Sequence, residues 1–406
     1  MKDQTRKIWN FWIDRGGTFT DCIGLSPEGN YEVAKILSSD DAPVEGVREI
    51  LSRFEEPEIG SCKVRMGTTV ATNALLERRG VPTALFTNIG LGDVLEIGTQ
   101  ERPDLFSLQI NKAEPLAKCV MEINGRVDHE GEDFEERDES EVRAKLRLAR
   151  DMGIESVAIL QMHAYQDSDW EERLGELARE EGFDSISLSH EVAPELGFLS
   201  RGETTVADAY LSPLLRTHIR AFQATFPNAD LKMMQSSGGL ASAEKFSGPS
   251  ALLSGPAGGV VGTSFVANQA NQTKAIGFDM GGTSTDVSLV IDGTGERVFE
   301  SVVAGIRVRS PMLDIHTVAA GGGSLCRFDG EKLTVGPESA GANPGPLCYG
   351  QVGQNGEILG REIALTDMNF WLDRVPEDRL PVSLTREPVE ACLLYTSDAA
   401  DEGLGV

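Results

Sequence analysis

Apolar residues in this chain fall into short runs divided by glycine-rich breaks, and on two occasions a pair of such runs flanks the same motif. IWNFWI precedes and CIGL follows DRGGTFTD, from Asp14 to Asp21; KAIGF precedes and VSLVI follows DMGGTSTD, from Asp279 to Asp286. Each copy reads as strand, Gly-Gly turn, strand, with the first aspartate at a strand end and the glycines at a hairpin tip. Between the copies the period becomes helical. GTTVATNALLERRG from Gly67 sets Ala71, Leu75 and Leu76 on one face behind a Gly-Thr start, and VPTALFTNIG is a buried strand. ESEVRAKLRLARDMG aligns Val142, Leu146, Ala149 and Met152 and stops at Gly153; SVAILQMHAY is a strand. DSDWEERLGELAREEG aligns Trp170, Leu174 and Leu177 and stops at Gly182 before the strand SISLSH. Such alternation predicts an α/β layer with helices on a mixed sheet. A long helix, ETTVADAYLSPLLRTHIRAFQATF, then leads to SGPAGGVVG and the second hairpin. VGPESAGANPGPLCYG lacks any period and is expected to be an ordered loop.

The repeated motif carries the candidate chemistry. Paired glycines permit positive φ and leave no Cβ in the way, so the N–H groups of Gly16, Gly17, Gly281 and Gly282 can point at an anion. Thr18, Thr20, Thr283 and Thr285 add hydroxyl donors. Asp14 and Asp279, at strand ends, suit Mg²⁺, which takes carboxylate, water and phosphate oxygens. One D-x-G-G-T hairpin reads equally well as a good turn. Turn chemistry does not, however, ask for a repeated T-x-T-D after the glycines, and a duplicate in the other half of the chain points to a clamp.

Composition narrows the partners. With 406 residues the chain can build two or three cores, and its formal charge of -27 argues against a nucleic-acid surface. An anionic ligand must then be neutralised locally, by backbone donors and a cation. The acidic run DHEGEDFEERDESE reads as a solvated loop. Six cysteines are scattered without a C-x-x-C pair, which suggests neither a zinc nor an iron–sulfur site. Cys22 begins a strand and reads as a small buried hydrophobe; His163 and His190 read as packing or hydrogen-bonding residues. There is neither a signal peptide nor an apolar segment of membrane-spanning length, so a cytoplasmic protein is expected.

The two hairpins resemble the phosphate loops of the actin-like, sugar-kinase and chaperone ATPase superfamily. Within it the chain is similar to the hydantoinase A/5-oxoprolinase family, through FWIDRGGTFTD, GTTVATNALLERRG, ERPDLF, SLSHEVAPE, MQSSGGL, LLSGPAGGVVG, GFDMGGTSTDVS, LDIHTVAAGGGS and VGPESAGANPGPLCYG, in that order. Arg15, where hydantoinase A chains tend to carry a small residue, makes the 5-oxoprolinase branch the nearer one. The resemblance implies an α/β, actin-like fold of duplicated RNase-H-like domains, two lobes around a nucleotide cleft. It implies ATP and Mg²⁺ as cofactors, Asp14 and Asp279 as metal residues, Asp21 and Asp286 as hairpin anchors or groups orienting the acceptor, and Gly321, Gly322 and Gly323 as an adenosine loop.

The implied reaction is the ATP-dependent opening of a small-molecule cyclic amide, 5-oxo-L-proline with ATP and water giving L-glutamate, ADP and phosphate. Its alternatives are a hydantoinase A or acetone carboxylase subunit and, from another class, a non-catalytic actin-like ATP switch. Expected domains are 1–202, the first lobe; 203–391, the second; and 392–406, where CLLYTSDAADE looks like translated adaptor sequence and is read as a non-native tail. On that reading the chain is a fragment that lacks its hydantoinase B-like domain or subunit. A homo-oligomer is expected, with no nucleic-acid or membrane partner.

Overall fold

The computed structural model describes residues 8–402 except 55–59, 101–104, 110–111, 133, 329–330, 354, 356, 361 and 377–382. The run before the first Gly-Gly turn forms β1 (Trp9–Arg15), antiparallel to β2 (Phe19–Leu25), which pairs in turn with β3 (Tyr31–Leu37). Alternation along β1 puts Trp9, Phe11 and Ile13 into the main core. There they meet α1 (Ala42–Ser52), whose Val44, Val47, Ile50 and Leu51 form its apolar stripe. β4 (Cys62–Thr68) lies parallel to β1 on its other edge and runs into α2 (Val70–Leu76).

A second sheet follows. It comprises β5 (Thr83–Asn88), β6 (Cys119–Ile123), β7 (Ser156–Leu160) and β8 (Ser185–Leu188), with α3 (Val94–Ile97), α4 (Glu139–Asp151), α5 (Asp169–Glu180) and α6 (Ser189–Val192) between or after them. The order is β6-β5-β7-β8 and every pair is parallel, so the mixed sheet expected here is a purely parallel one. β5 and β7 are buried throughout, which explains their continuous rather than alternating hydrophobicity. Asp138 caps α4 by accepting from the N–H groups of Ser140 and Glu141 at 2.9 and 3.1 Å.

α7 (Phe198–Thr225) packs on both sheets and delivers β9 (Ala229–Met234) back to the first, parallel to β4, with β10 (Leu240–Ser242) at the edge. The resulting order, β10-β9-β4-β1-β2-β3, is an RNase-H-like core. The lobe boundary expected at residue 202 therefore falls inside α7, and strands from 229–242 complete the first sheet. Gly202 is not a stop: a Cβ there would stand 2.6 Å from Leu160 Cδ2, so the glycine serves close helix-to-sheet packing.

The second lobe starts with α8 (Gly248–Ala251) and α9 (Ser254–Gln269), which lead to β11 (Lys274–Met280) and β12 (Thr285–Ile291). β12 also pairs with β13 (Thr294–Gly295) and β16 (Ile315–Val318), while β14 (Arg297–Val303) with β15 (Ile306–Leu313), and β17 (Ser324–Phe328) with β18 (Leu333–Ser339), form separate ribbons. Residues 335–339, expected as loop, belong to β18. After α10 (Leu365–Trp371), α11 (Glu387–Glu402) runs unbroken through Cys392, which packs with Leu393 on a cluster of Leu347, Cys348, Phe370 and Val389. The architecture is α/β and actin-like, with a complete RNase-H-like sheet in the first lobe and a β11-β12-β16 counterpart in the second. Among the described residues no helix is long and apolar enough to cross a membrane.

Candidate functional site

Both motifs fold into the same object. In the first hairpin Asp14 stands opposite Asp21 and Arg15 opposite Thr20; in the second Asp279 stands opposite Asp286 and Met280 opposite Thr285. Each tip closes with one backbone bond, Gly16 N–H to Phe19 O at 3.0 Å and Gly281 N–H to Ser284 O at 2.9 Å. The four tip glycines are absent from the positive-φ residues, so backbone handedness is not what requires them. Proximity is. A Cβ on Gly282 would lie 2.3 Å from Thr18 Oγ1, and one on Gly17 would lie 3.9 Å from Thr283 Oγ1: the two tips meet face to face.

Thr18 Oγ1 is buried between them without a hydrogen-bond partner, whereas Thr20 and Thr285 are committed elsewhere. Thr20 Oγ1 lies 3.0 Å from Ser38 Oγ, which donates to Gly16 O at 2.7 Å; Thr285 Oγ1 donates to Ala320 O at 2.5 Å. These two threonines therefore pin their hairpins, while Thr18 and the exposed Thr283 remain at the junction.

Asp14 keeps part of its surface open to the cleft, but backbone crowds its other sides. Cβ atoms placed on Gly67 and Gly255 would stand 3.3 and 3.4 Å from Asp14 Oδ1, so the end of β4 and the first turn of α9 close on the carboxylate. This desolvation, then repulsion from Asp21 and Asp279, against a smaller pull from Lys35, raises the Asp14 pKa to about 6. Asp279 thus acts electrostatically on Asp14, and its Oδ2 lies 3.8 Å from where Gly259 of α9 would carry a Cβ. A buried orphan hydroxyl beside two mutually repelling carboxylates fits a phosphate with its cation. Among the described residues no group of three or more His, Cys, Asp or Glu side chains is arranged around a metal position.

The second aspartates differ. Both Asp21 oxygens accept from Lys35 Nζ at 2.8 Å, whereas Asp286 accepts from Thr317 Oγ1 at 2.6 Å. Burial, opposed by that hydroxyl and reinforced by Asp279, raises the Asp286 pKa. The glycine triplet braces the second tip: Gly322 and Gly323 N–H donate to Gly281 O and Gly282 O at 2.9 and 2.6 Å, and Gly321 N–H to Ser324 Oγ at 2.9 Å. Arg15 points away from Asp14, pairing with Asp40 at 2.8 Å and lying 3.3 Å from His218 Nδ1. Cys22 is buried, its thiol pushed up to about 12 chiefly by desolvation, as befits a packed hydrophobe. Lys35, Ser38, Thr317 and Ser254, whose Oγ accepts from Thr68 N–H at 3.1 Å, are site residues that sequence reasoning missed. Single polar residues on distant strands leave no local signal.

Two family models match, "Hydantoinase/oxoprolinase N-terminal region" over residues 10–182 and "Hydantoinase/oxoprolinase" over residues 201–397. The chain belongs to the hydantoinase/oxoprolinase family. A family relative, the 5-oxoprolinase of Saccharomyces cerevisiae, is 43% identical over 416 residues, covering 90% of this chain and 32% of the relative. The chain thus spans about a third of the length of the 5-oxoprolinases it matches. The crystal structure of ATP-dependent caprolactamase from Pseudomonas jessenii aligns with a TM-score of 0.74 at 31% identity, over 95% of this chain and 58% of that one. Nucleotide-free acetone carboxylase aligns with a TM-score of 0.81 at 21% identity, over 96% of this chain and 58% of that one, a likeness of fold.

Proposed function

We propose that this chain is the nucleotide-binding and phosphorylating part of an ATP-dependent cyclic amide hydrolase, which converts 5-oxo-L-proline to L-glutamate with release of ADP and phosphate. The observation that carries this reading is the meeting of two D-x-G-G-T tips over the unpartnered hydroxyl of Thr18. The similarity to 5-oxoprolinase across 90% of the chain supports the choice of substrate.

A lactam resists water because its nitrogen lone pair is delocalised into the carbonyl. Transfer of a phosphoryl group to the amide oxygen removes that protection; one water then opens the ring and a second releases phosphate from the resulting acyl phosphate. Phosphoryl transfer asks mainly for positioning and charge neutralisation. The N–H groups and hydroxyls around Gly16, Gly17, Thr18, Gly281, Gly282 and Thr283 hold the phosphates. Asp14 and Asp279 hold Mg²⁺, directly or through water; when bound, the ion offsets both phosphate charge and the repulsion between the carboxylates. Asp21, neutralised by Lys35, anchors its hairpin, and Asp286, held only by a hydroxyl, orients the acceptor. Gly321, Gly322 and Gly323, whose amides are engaged within the protein, would form the adenosine loop.

Ring opening belongs, on this reading, with a hydantoinase B-like domain or subunit, in a homo-oligomer in the cytoplasm. The test is titration calorimetry with Mg-ATP. Asp279→Ala is expected to abolish detectable binding, and an unchanged affinity overturns the metal assignment.

A further inference from the structure

Residues in direct register form a row across the first sheet on the face that carries Asp14. Val33, Ile23, Trp12, Arg65 and Lys232 stand opposite one another in turn on β3, β2, β1, β4 and β9, one pleat behind the row of Lys35, Asp21, Asp14 and Gly67. Trp12 stays 36% exposed, and the Arg65 guanidinium lies 5.7 Å from the centre of its ring. Arg65 is half-buried. Its Nη1 is shut off from solvent with no hydrogen-bond partner, and among the described residues its side chain makes no ion pair. In a chain with 64 acidic and 37 basic residues an acidic partner would be easy to supply, and a guanidinium taken from water without an acceptor loses hydration that nothing replaces. Lys232, next in the row and exposed, also has no acidic partner among the described residues. Arg15 differs on both counts: it lies on the opposite face of β1, and Asp40 already neutralises it.

Resting on the lactam reading above, we infer that Arg65 selects a carboxylated lactam: its guanidinium takes the carboxylate of 5-oxo-L-proline while the ring lies along the exposed part of Trp12. The planar fork matches the two carboxylate oxygens, and the long stem lets Nη1 turn from beside Trp12 to meet them. Lys232 adds charge behind it. One pleat is about 7 Å, so a ring held there by its carboxylate presents its carbonyl, on the other side of the ring nitrogen, towards Asp14 and the phosphate between the tips. A lactam without the carboxylate leaves Arg65 as unpaired as before, and the site discriminates by charge.

Ligand-observed nuclear magnetic resonance titrations of the chain with 5-oxo-L-proline and with its neutral amide, 5-oxo-L-prolinamide, test the assignment. The acid should bind at least about tenfold more tightly than the amide. Arg65→Met should erase that preference by weakening the acid alone, and Arg65→Lys, which keeps the charge without the fork, should retain part of it. Because Arg65 has no acceptor to lose, Arg65→Met should leave the urea-unfolding midpoint unchanged or raised. Four outcomes overturn the proposal: no preference for the acid in the parent chain; a preference that survives Arg65→Met; its loss in Arg15→Met instead; or a lowered midpoint in Arg65→Met with acid and amide weakened alike, which makes Arg65 a packing residue. Mg-ATP titration of the same chain tests the underlying reading separately. A chain that prefers the acid yet binds no Mg-ATP would remove the nucleotide reading and leave the carboxylate site standing.

Discussion

In the first lobe the D-x-G-G-T hairpin lies inside a six-stranded sheet, with Lys35 on Asp21 and two helices over Phe11 and Ile13. In the second, the same hairpin has one hydroxyl on Asp286, a glycine triplet behind its tip and an uncovered apolar face. Local sequence built two matching tips; distant sequence covered the strand behind one and left the strand behind the other with an open apolar face. Under the proposed function the difference divides the roles: the aspartate clamped by a lysine anchors its hairpin, and the one held by a hydroxyl orients the acceptor.

The contrast is broken most directly by truncating equivalent positions. Phe11→Ala should destabilise the chain by about 3–5 kcal/mol, and Phe278→Ala by no more than about 0.5 kcal/mol. Urea unfolding measures both; equal losses would mean that the second face is covered in solution. A smaller effect is expected at the junction. Gly282→Val drives a side chain into Thr18 and should destabilise by about 1–3 kcal/mol and weaken Mg-ATP binding. Thr18→Gly in the same chain should recover part of the lost stability, and a simple sum of the two single effects on stability would show that the tips do not touch.

The anchors come next. Lys35→Ala should lower stability by at most about 1 kcal/mol, because the pair is partly exposed. It should also lower Mg-ATP affinity, since Asp21 then adds its uncompensated charge to the cleft; calorimetry at two salt concentrations checks that this loss shrinks with screening. The smallest effect is a pH dependence away from the hairpins, in the parallel sheet of the first lobe. His190 Nδ1 lies 2.5 Å from the buried Glu171 carboxylate, which raises the His190 pKa, with Glu191 and Glu172 acting the same way. A cation favoured in the folded state stabilises fully below the unfolded value of 6.5 and loses that contribution as pH climbs through the higher folded value. Thermal melts from pH 6 upward should therefore fall more steeply in the parent than in His190→Gln, and parallel slopes would remove the linkage.

Much of the fold could be read directly from the chain. α4 and α5 follow their apolar spacing, and β7 ends where Gln161 N–H turns to donate to Glu171 at 3.0 Å. The lobe boundary expected at residue 202 falls inside α7 because a glycine that permits close packing within a helix and one that marks a boundary look the same in sequence. Positive φ was the wrong reason for the tip glycines: none of the four has it, and what requires them is approach to the opposite tip. Arg201, fully buried and donating to Ser189 Oγ, Glu195 O and Gln161 O, carried no signal at all, since a charged residue in a helix ordinarily reads as exposed.

By itself the sequence determined the strand-turn-strand units, the alternation of helices and strands, and the duplicated hairpin that carries Asp14 and Asp279, because period and turn chemistry depend on near neighbours. Only the tertiary structure decided that β9 and β10 close the first sheet, that Asp21 and Asp286 receive different partners, and that β11 stands open. Those outcomes rest on contacts between residues far apart in the chain, and no local pattern encodes them.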